Sequence, residues 1–317
     1  MGEEKYYIGH SVNPEVRHNA SSGGVGFSLI SYLLSSGEYG TAVTFRFDKD
    51  SCAYKPLLVY EPASLFTKGS IYQDIALIDF IRDNIFSIRG GIVVTCLPCQ
   101  VRAIRHLLDE RNIKSFIITF ACSGQTLLEG THCYYRLLGI GRSDVENIRY
   151  RGCGWPGGIL ITKIDGENIF RPNYTEPWKS LQMSMLYRPK RCFLCVKDTD
   201  RTADISMADP WLERYKTEKE GKTLFSVNTA RGQNAIEALI RQGFIVVELS
   251  SNKDWKISQA PNVAKKEFVK ENRKALKIIS TLVANSFYRN IFSKNIFMLK
   301  MHCRILRIII RLNRSKS

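Results

Sequence analysis

Residues 91–100 read Gly91-Ile92-Val93-Val94-Thr95-Cys96-Leu97-Pro98-Cys99-Gln100. Gly91 to Thr95 is strand-like, and a helix-like run from Gln100 to Arg111 follows it. A Cys-x-x-Cys therefore sits between a strand and a helix. A thiolate at a helix N-terminus is stabilised by the macrodipole, so Cys99 occupies a chemically active position. A second pair, Cys192-Phe193-Leu194-Cys195, lies far down the chain in a polar loop. Four thiolates supplied in pairs suit a tetrahedral zinc or an iron–sulfur cluster. A thioredoxin-like dithiol and inert buried thiols are the other fates open to them.

Nearer the N-terminus, Ala20-Ser21-Ser22-Gly23-Gly24-Val25-Gly26 leads into an apolar helix-like run, Phe27 to Leu34. Small residues ahead of a helix leave backbone N–H groups free to meet an anion; the plain alternative is an ordinary turn. Thr41 to Phe47 reads as a strand with a hairpin-like return at Lys55 to Tyr60. Lys68-Gly69-Ser70-Ile71-Tyr72 forms a turn before a helix from Ile75 to Asn84. Another strand, Phe116 to Phe120, runs into Ala121-Cys122-Ser123-Gly124. This alternation predicts an α/β sheet with parallel pairs, its chemical groups at the C-terminal ends of the strands.

The second half begins near Ile148 with a Gly-rich turn region, Arg149 to Gly158, followed by a hairpin of Ile159 to Ile164 and Asn168 to Arg171. For Asp209-Pro210-Trp211 the plain reading is only a turn with a buried Trp. A strand (Thr223 to Thr229), a helix (Gln233 to Gln242) and a strand (Phe244 to Leu249) close the body. The fold expected is mixed α/β (α+β): a sheet with flanking helices, a smaller loop-rich C-terminal part and a basic helical tail. The divisions fall at 1–147, 148–262 and 263–317.

The 317 residues carry a net charge of +16, unevenly spread. Val263 to Ser317 holds 14 Lys/Arg against 2 Asp/Glu, while the rest holds 32 against 28. The body is nearly balanced, which argues against a nucleic-acid groove across the core. No apolar h-region follows Met1, so no secretory signal is visible. A cytoplasmic, reducing setting is expected for the nine cysteines, favouring metal or redox use over disulfides. The five histidines form no ligand-spaced pair and read as surface or core residues. In Ile296 to Leu312, Lys300, Arg304, Arg307 and Arg311 form one basic stripe on an apolar helix. The charges recur too often for a spanning helix. An interfacial helix, peripheral on an anionic inner membrane face, fits better.

In their order along the chain, seven short segments resemble the coenzyme F420 hydrogenase/dehydrogenase beta-subunit family. They are Ser21-Ser22-Gly23-Gly24, Gly69-Ser70-Ile71-Tyr72, Leu97-Pro98-Cys99-Gln100, Cys122, Arg149 to Gly157, Arg191-Cys192 with Cys195, and Ala203 to Trp211. The resemblance covers roughly residues 6–262. It implies an oxidoreductase carrying FAD and a 4Fe-4S cluster. The cluster ligands it implies are Cys99, Cys122, Cys192 and Cys195, with Cys96 set aside. The flavin would lie against Ser22, Gly23, Gly24, Gly69, Ser70, Gln100 and Arg151.

Many relatives open with a ferredoxin-like segment of closely spaced cysteines. None precedes Cys52 here, so a ferredoxin-like partner protein is expected as electron donor. The acceptor expected is a small molecule, either a deazaflavin or an unsaturated or sugar-linked metabolite. Relatives of this shortened form occur among surface-polysaccharide biosynthesis proteins. Two departures from the family pattern are Ala208, where a Gly commonly precedes the Asp, and the basic tail. The competing expectation is a non-catalytic assembly protein, stabilised by zinc and anchored to a membrane surface by its tail.

Overall fold

The computed structural model describes residues 4–66 and 69–313. Lys68 and the last residues of the tail lie outside them. In chain order the elements are β1 (Lys5–Ser11), α1 (Pro14–Asn19), α2 (Val25–Ser35), β2 (Thr41–Asp48), β3 (Ala53–Val59), α3 (Leu77–Asp83), β4 (Ile92–Cys96), α4 (Val101–Asp109), β5 (Ser115–Phe120) and α5 (Leu128–Leu137). Then come β6 (Val145–Arg149), β7 (Gly158–Lys163), β8 (Asn168–Pro172), α6 (Trp178–Ser184), β9 (Ile205–Ala208), β10 (Thr223–Val227), α7 (Ala230–Arg241) and β11 (Ile245–Ser250). Four helices finish the chain: α8 (Asn252–Glu271), α9 (Arg273–Ala284), α10 (Ser286–Phe292) and α11 (Ile296–Leu312). The fold is mixed α/β, as expected.

An eight-stranded sheet has the order β11-β1-β10-β9-β5-β4-β2-β3. Its centre is parallel: β2 with β4, β4 with β5, and β5 with β9. Both margins are antiparallel. The central strands are apolar on both faces because helices cover both. Val93, Phe116 and Ile118 meet Val25, Leu29 and Leu33 of α2 and Ile236 and Leu239 of α7. The alternate residues Ile92, Val94 and Ile117 meet Leu77 and Ile81 of α3 and Ile104 and Leu108 of α4. Side chains of period two on the strands and of period near 3.6 on the helices thus close two cores at once.

The strands of this sheet come from both sides of residue 148. Strand β1 has no counterpart among the sequence expectations. It is placed by pairing with β10 and β11, more than 200 residues away. Asp204 clamps the sheet centre and has no exposed surface. Its Oδ2 accepts from the Ile117 amide at 2.8 Å and from Arg105 at 2.9 Å. Its Oδ1 accepts from Thr229 Oγ1 at 2.7 Å and Arg231 Nε at 2.6 Å. One carboxylate therefore ties β5 and α4 to the start of α7, and Thr229 also caps α7 by accepting from the Gly232 amide.

The small sheet β6-β7-β8 packs with α5 and α6 and with the tail. Helix α8 begins at Asn252, earlier than the helical tail expected from Val263, because Ser251 caps it by accepting from the Asp254 amide. Helix α11 inserts Leu299, His302 and Leu306 into the same core as Trp178 and Leu181 of α6. His302 is buried between the rings of Tyr288 and Phe292, and burial pulls its pKa down to about 4. It is a core histidine. No helix among the described residues is long and apolar enough to cross a membrane.

Candidate functional site

Four loops from distant parts of the chain meet over the C-terminal ends of the parallel strands. Arg151, nearly buried, donates through Nη1 to Asp209 Oδ2 at 2.6 Å and through Nη2 to the Ser21 carbonyl at 2.6 Å. Ser22 Oγ donates to Asp209 Oδ1 at 2.5 Å, and Trp155 Nε1 to the same oxygen at 3.2 Å. Ser70 N–H donates to Ser21 Oγ at 2.5 Å. A Cβ on Gly69 would lie 2.8 Å from the Arg151 carbonyl, so glycine permits this approach. Burial works to pull the Arg151 pKa down, but the charge of Asp209 outweighs it and the guanidinium is held above its ordinary value. Helix α8 supports the arrangement from behind: Ser258 Oγ and Gln259 Nε2 donate to the Asp209 carbonyl at 2.7 and 2.9 Å.

These loops border one cavity of about 860 Å³. Ser22, Gly24, Gly69, Ser70, Gln100 and Arg151 all line it, as does Cys122. Its size and largely apolar wall suit a large, flat organic ligand. Gln100 is buried and closes the turn after β4, its Oε1 accepting from the Leu97 amide at 3.0 Å. Gly23 stands behind the wall. Its amide donates to Thr223 Oγ1 at 2.9 Å, its carbonyl accepts from Ser11, and a Cβ there would lie 2.5 Å from the Gly9 carbonyl. Gly24 starts α2 with φ +79°, a conformation that glycine adopts without strain.

Gly221 presses on the same loop. It has φ +102°, and a Cβ would come within 2.2 Å of the Ser22 carbonyl. Gly221→Ala is expected to cost about 1–3 kcal/mol and to push Ser22 off Asp209. Thermal unfolding of the variant checks this, and an unchanged melting temperature would contradict it.

Of the cysteines, Cys96 and Cys122 line the cavity. Cys122 follows β5 and lines it, its amide donating to the Asp198 carbonyl in the loop after Cys195. Burial pushes the Cys122 thiol up to about 11, with repulsion from Cys192 and Cys99 adding to the rise. Cys99 is exposed as a residue, yet its thiol is pushed above the ordinary range, first by loss of water and then by repulsion from Cys195 and Cys192. This rise runs against the thiolate stabilisation expected ahead of α4. Cys192 sits in a one-turn 3-10 helix, Lys190–Phe193, and is buried; the segment is not the open polar loop expected. Cys195 is half-buried beside the Lys197 carbonyl. Cys96 is buried at the end of β4, and burial raises its thiol strongly.

A four-thiolate zinc site needs its sulfurs gathered around one ion. Among the described residues, no three His, Cys, Asp or Glu side chains are gathered in that way. Cys192 and Cys195 nevertheless lie near enough to Cys99, and Cys192 and Cys99 near enough to Cys122, to raise those two thiols. They come from three segments, as the ligands of a larger iron–sulfur body do. The donor set fits such a cluster.

Sequence reasoning misses several groups. Trp211, buried under the plain reading of its turn, is 38% exposed, with its ring 4.6 Å from that of Trp155 at the cavity wall. Asp209 is the common acceptor of the site, a role its turn motif does not reveal. Arg188, Lys265 and Lys266 also line the cavity. Arg188 donates to the Ser123 carbonyl, and burial pulls its pKa down against the thiols of Cys192, Cys122 and Cys195. Charge alone assigns the two lysines to the tail.

Residues 90–253, more than half of the chain, match the C-terminal part of the family described as "Coenzyme F420 hydrogenase/dehydrogenase, beta subunit". Residues 6–81 match the N-terminal part of the same family. A comparison with curated proteins finds no match. Among solved structures, a chain of the F420-reducing [NiFe] hydrogenase complex from Methanosarcina barkeri, studied after xenon derivatization, is similar in fold. The TM-score is 0.63 at 14% identity, covering 85% of this chain and 92% of that one. The paired family matches span the loops that build the cavity, and the chain belongs to the coenzyme F420 hydrogenase/dehydrogenase beta-subunit family, a family of oxidoreductase subunits.

Proposed function

We propose that the chain is an iron–sulfur flavoprotein oxidoreductase. When bound, a 4Fe-4S cluster would accept single electrons from a partner protein, and FAD would deliver them in pairs as hydride to a small acceptor. The observation that carries this reading is the convergence of Ser22, Gly69, Ser70, Gln100 and Arg151 with Cys122 on one cavity.

The chain's own residues have definable tasks. Cys99, Cys122, Cys192 and Cys195 would hold the cluster, each losing its thiol proton to do so. The loops at Ser22, Gly24 and Gly69-Ser70 bring backbone close to the ligand, and the Arg151–Asp209 pair keeps those loops in register. Apolar wall residues such as Phe120 and Met207 exclude water. Acceptors of the right chemistry are a deazaflavin or an unsaturated or sugar-linked metabolite of surface-polysaccharide synthesis. Anaerobic purification with iron, sulfide, flavin and visible-spectrum analysis tests the proposal. A colourless, iron-free protein that takes up neither group on reconstitution would refute it.

The tail belongs to the same reading. Leu299 and Leu306 bind α11 to the body, so its outer face is presented as a fixed surface. That face carries Lys300, Arg304, Arg307 and Arg311 with Phe297 (68% exposed), Ile308 (56%) and Leu312 (79%). Among the described residues, Lys300 alone of these four cations approaches a carboxylate, Glu176, at 3.8 Å. Basic groups interleaved with exposed apolar ones fit an anionic bilayer, at roughly 1 kcal/mol per basic residue near the surface. Vesicles containing phosphatidylglycerol are expected to sediment with the protein at low salt, and Arg304→Glu/Arg307→Glu to abolish this. Equal binding to neutral phosphatidylcholine vesicles would count against it.

A further inference from the structure

Five cations line the cavity: Arg151, Lys179, Arg188, Lys265 and Lys266. A single carboxylate, Asp209, lines it with them. Asp209 is spent on Arg151. Among the described residues, Arg188, Lys265 and Lys266 make no ion pair with Asp or Glu, and all three line the same cavity as Cys122. Lys266 is only 5% exposed. The Nε of Arg188 is buried without a partner. A buried cation that lacks a counter-charge is costly, so this wall is built for a negative occupant. The low-dielectric apolar surroundings strengthen that preference.

Both lysines lie on α8, beyond the residues matched to the C-terminal part of the family, so the family match does not account for them. Two ammonium groups and a guanidinium lining one cavity offer several donors, which suits the tetrahedral oxygens of a phosphate better than a planar carboxylate. We propose that Arg188, Lys265 and Lys266 form a phosphate subsite of the cavity, taking a phosphate ester or pyrophosphate. It rests on the flavoprotein reading only for the owner of that phosphate, which is either the dinucleotide cofactor or a phosphorylated acceptor.

Calorimetric titration of the full-length protein with inorganic pyrophosphate tests this. Wild type is expected to bind, Lys265→Gln to bind about tenfold more weakly, a loss of about 1.4 kcal/mol, and Lys265→Gln/Lys266→Gln not at all. Lys265 is an exposed residue, so the single variant is expected to fold even if the double one does not, with circular dichroism as the check. Binding by flavin-loaded protein assigns the subsite to the acceptor's phosphate. Binding that appears only after flavin removal assigns it to the cofactor's own pyrophosphate. Equal affinity in wild type and Lys265→Gln, or no binding to wild type in either form, overturns the proposal and leaves the three cations as counter-charges to the thiols alone. If the protein holds no flavin, the functional reading fails by its spectrum, while the pyrophosphate titration still decides the subsite.

Discussion

Asp209→Ala is expected to lower the unfolding free energy by about 3–5 kcal/mol, because it leaves the Arg151 guanidinium in the interior without its counter-charge. Asp209 accepts from Arg151, Ser22 and Trp155 on its carboxylate and from Ser258 and Gln259 on its carbonyl. The substitution spares the carbonyl contacts and removes the carboxylate ones. The loops bearing Ser21-Ser22 and Gly69-Ser70 would then separate, and flavin retention should fall with stability. Arg151→Met/Asp209→Ala should recover part of the loss, since no charge is then left uncompensated. Urea unfolding of the two single variants and the double variant gives the coupling energy. A cost below about 1 kcal/mol for Asp209→Ala would place the pair among weak surface ion pairs and remove it as the organiser of the site.

Replacing any one of Cys99, Cys122, Cys192 or Cys195 by serine should strip iron and sulfide from anaerobically purified protein and bleach the visible absorbance of the cluster. The hydroxyl of serine is a far poorer ligand than a thiolate at neutral pH. Cys96→Ser serves as the contrasting case. Cys96 is buried, as Cys192 is, and lines the cavity, as Cys122 does, so a general effect of disturbing this region would appear there too. Iron content retained in Cys192→Ser, or lost equally in Cys96→Ser, would show the ligand set to be wrong. Flavin measured on the same samples separates loss of the cluster from loss of the fold.

The strand and helix on either side of Cys96–Cys99 were legible because their signals are local. Apolar runs of the right length, bounded by glycine or polar residues, specify β4, α4 and β5 wherever the rest of the chain goes. The glycine-bearing turns at Gly24 and Gly69 were legible for a similar reason, since positive φ or close approach leaves little other choice of residue. The order of the motifs was enough to indicate the family.

Other features depended on distant partners. Lys5–Ser11 becomes a strand because β10 and β11 take up its backbone hydrogen bonds; Tyr6, Tyr7 and Ile8 favour a strand locally but do not reveal partners more than 200 residues away. Asp209 looks like part of a turn until Arg151, Ser22 and Trp155 are brought to it across the fold. Lys265 and Lys266 carry the same charge as the rest of the tail. Only the packing of α8 against the Asp209 loop turns them from a solvated stretch into the wall of the cavity. Near neighbours along the chain encode the set of elements and the chemistry available to them. The tertiary structure alone decided which charges are buried, paired or left unpaired, because desolvation depends on what the remainder of the chain places around them.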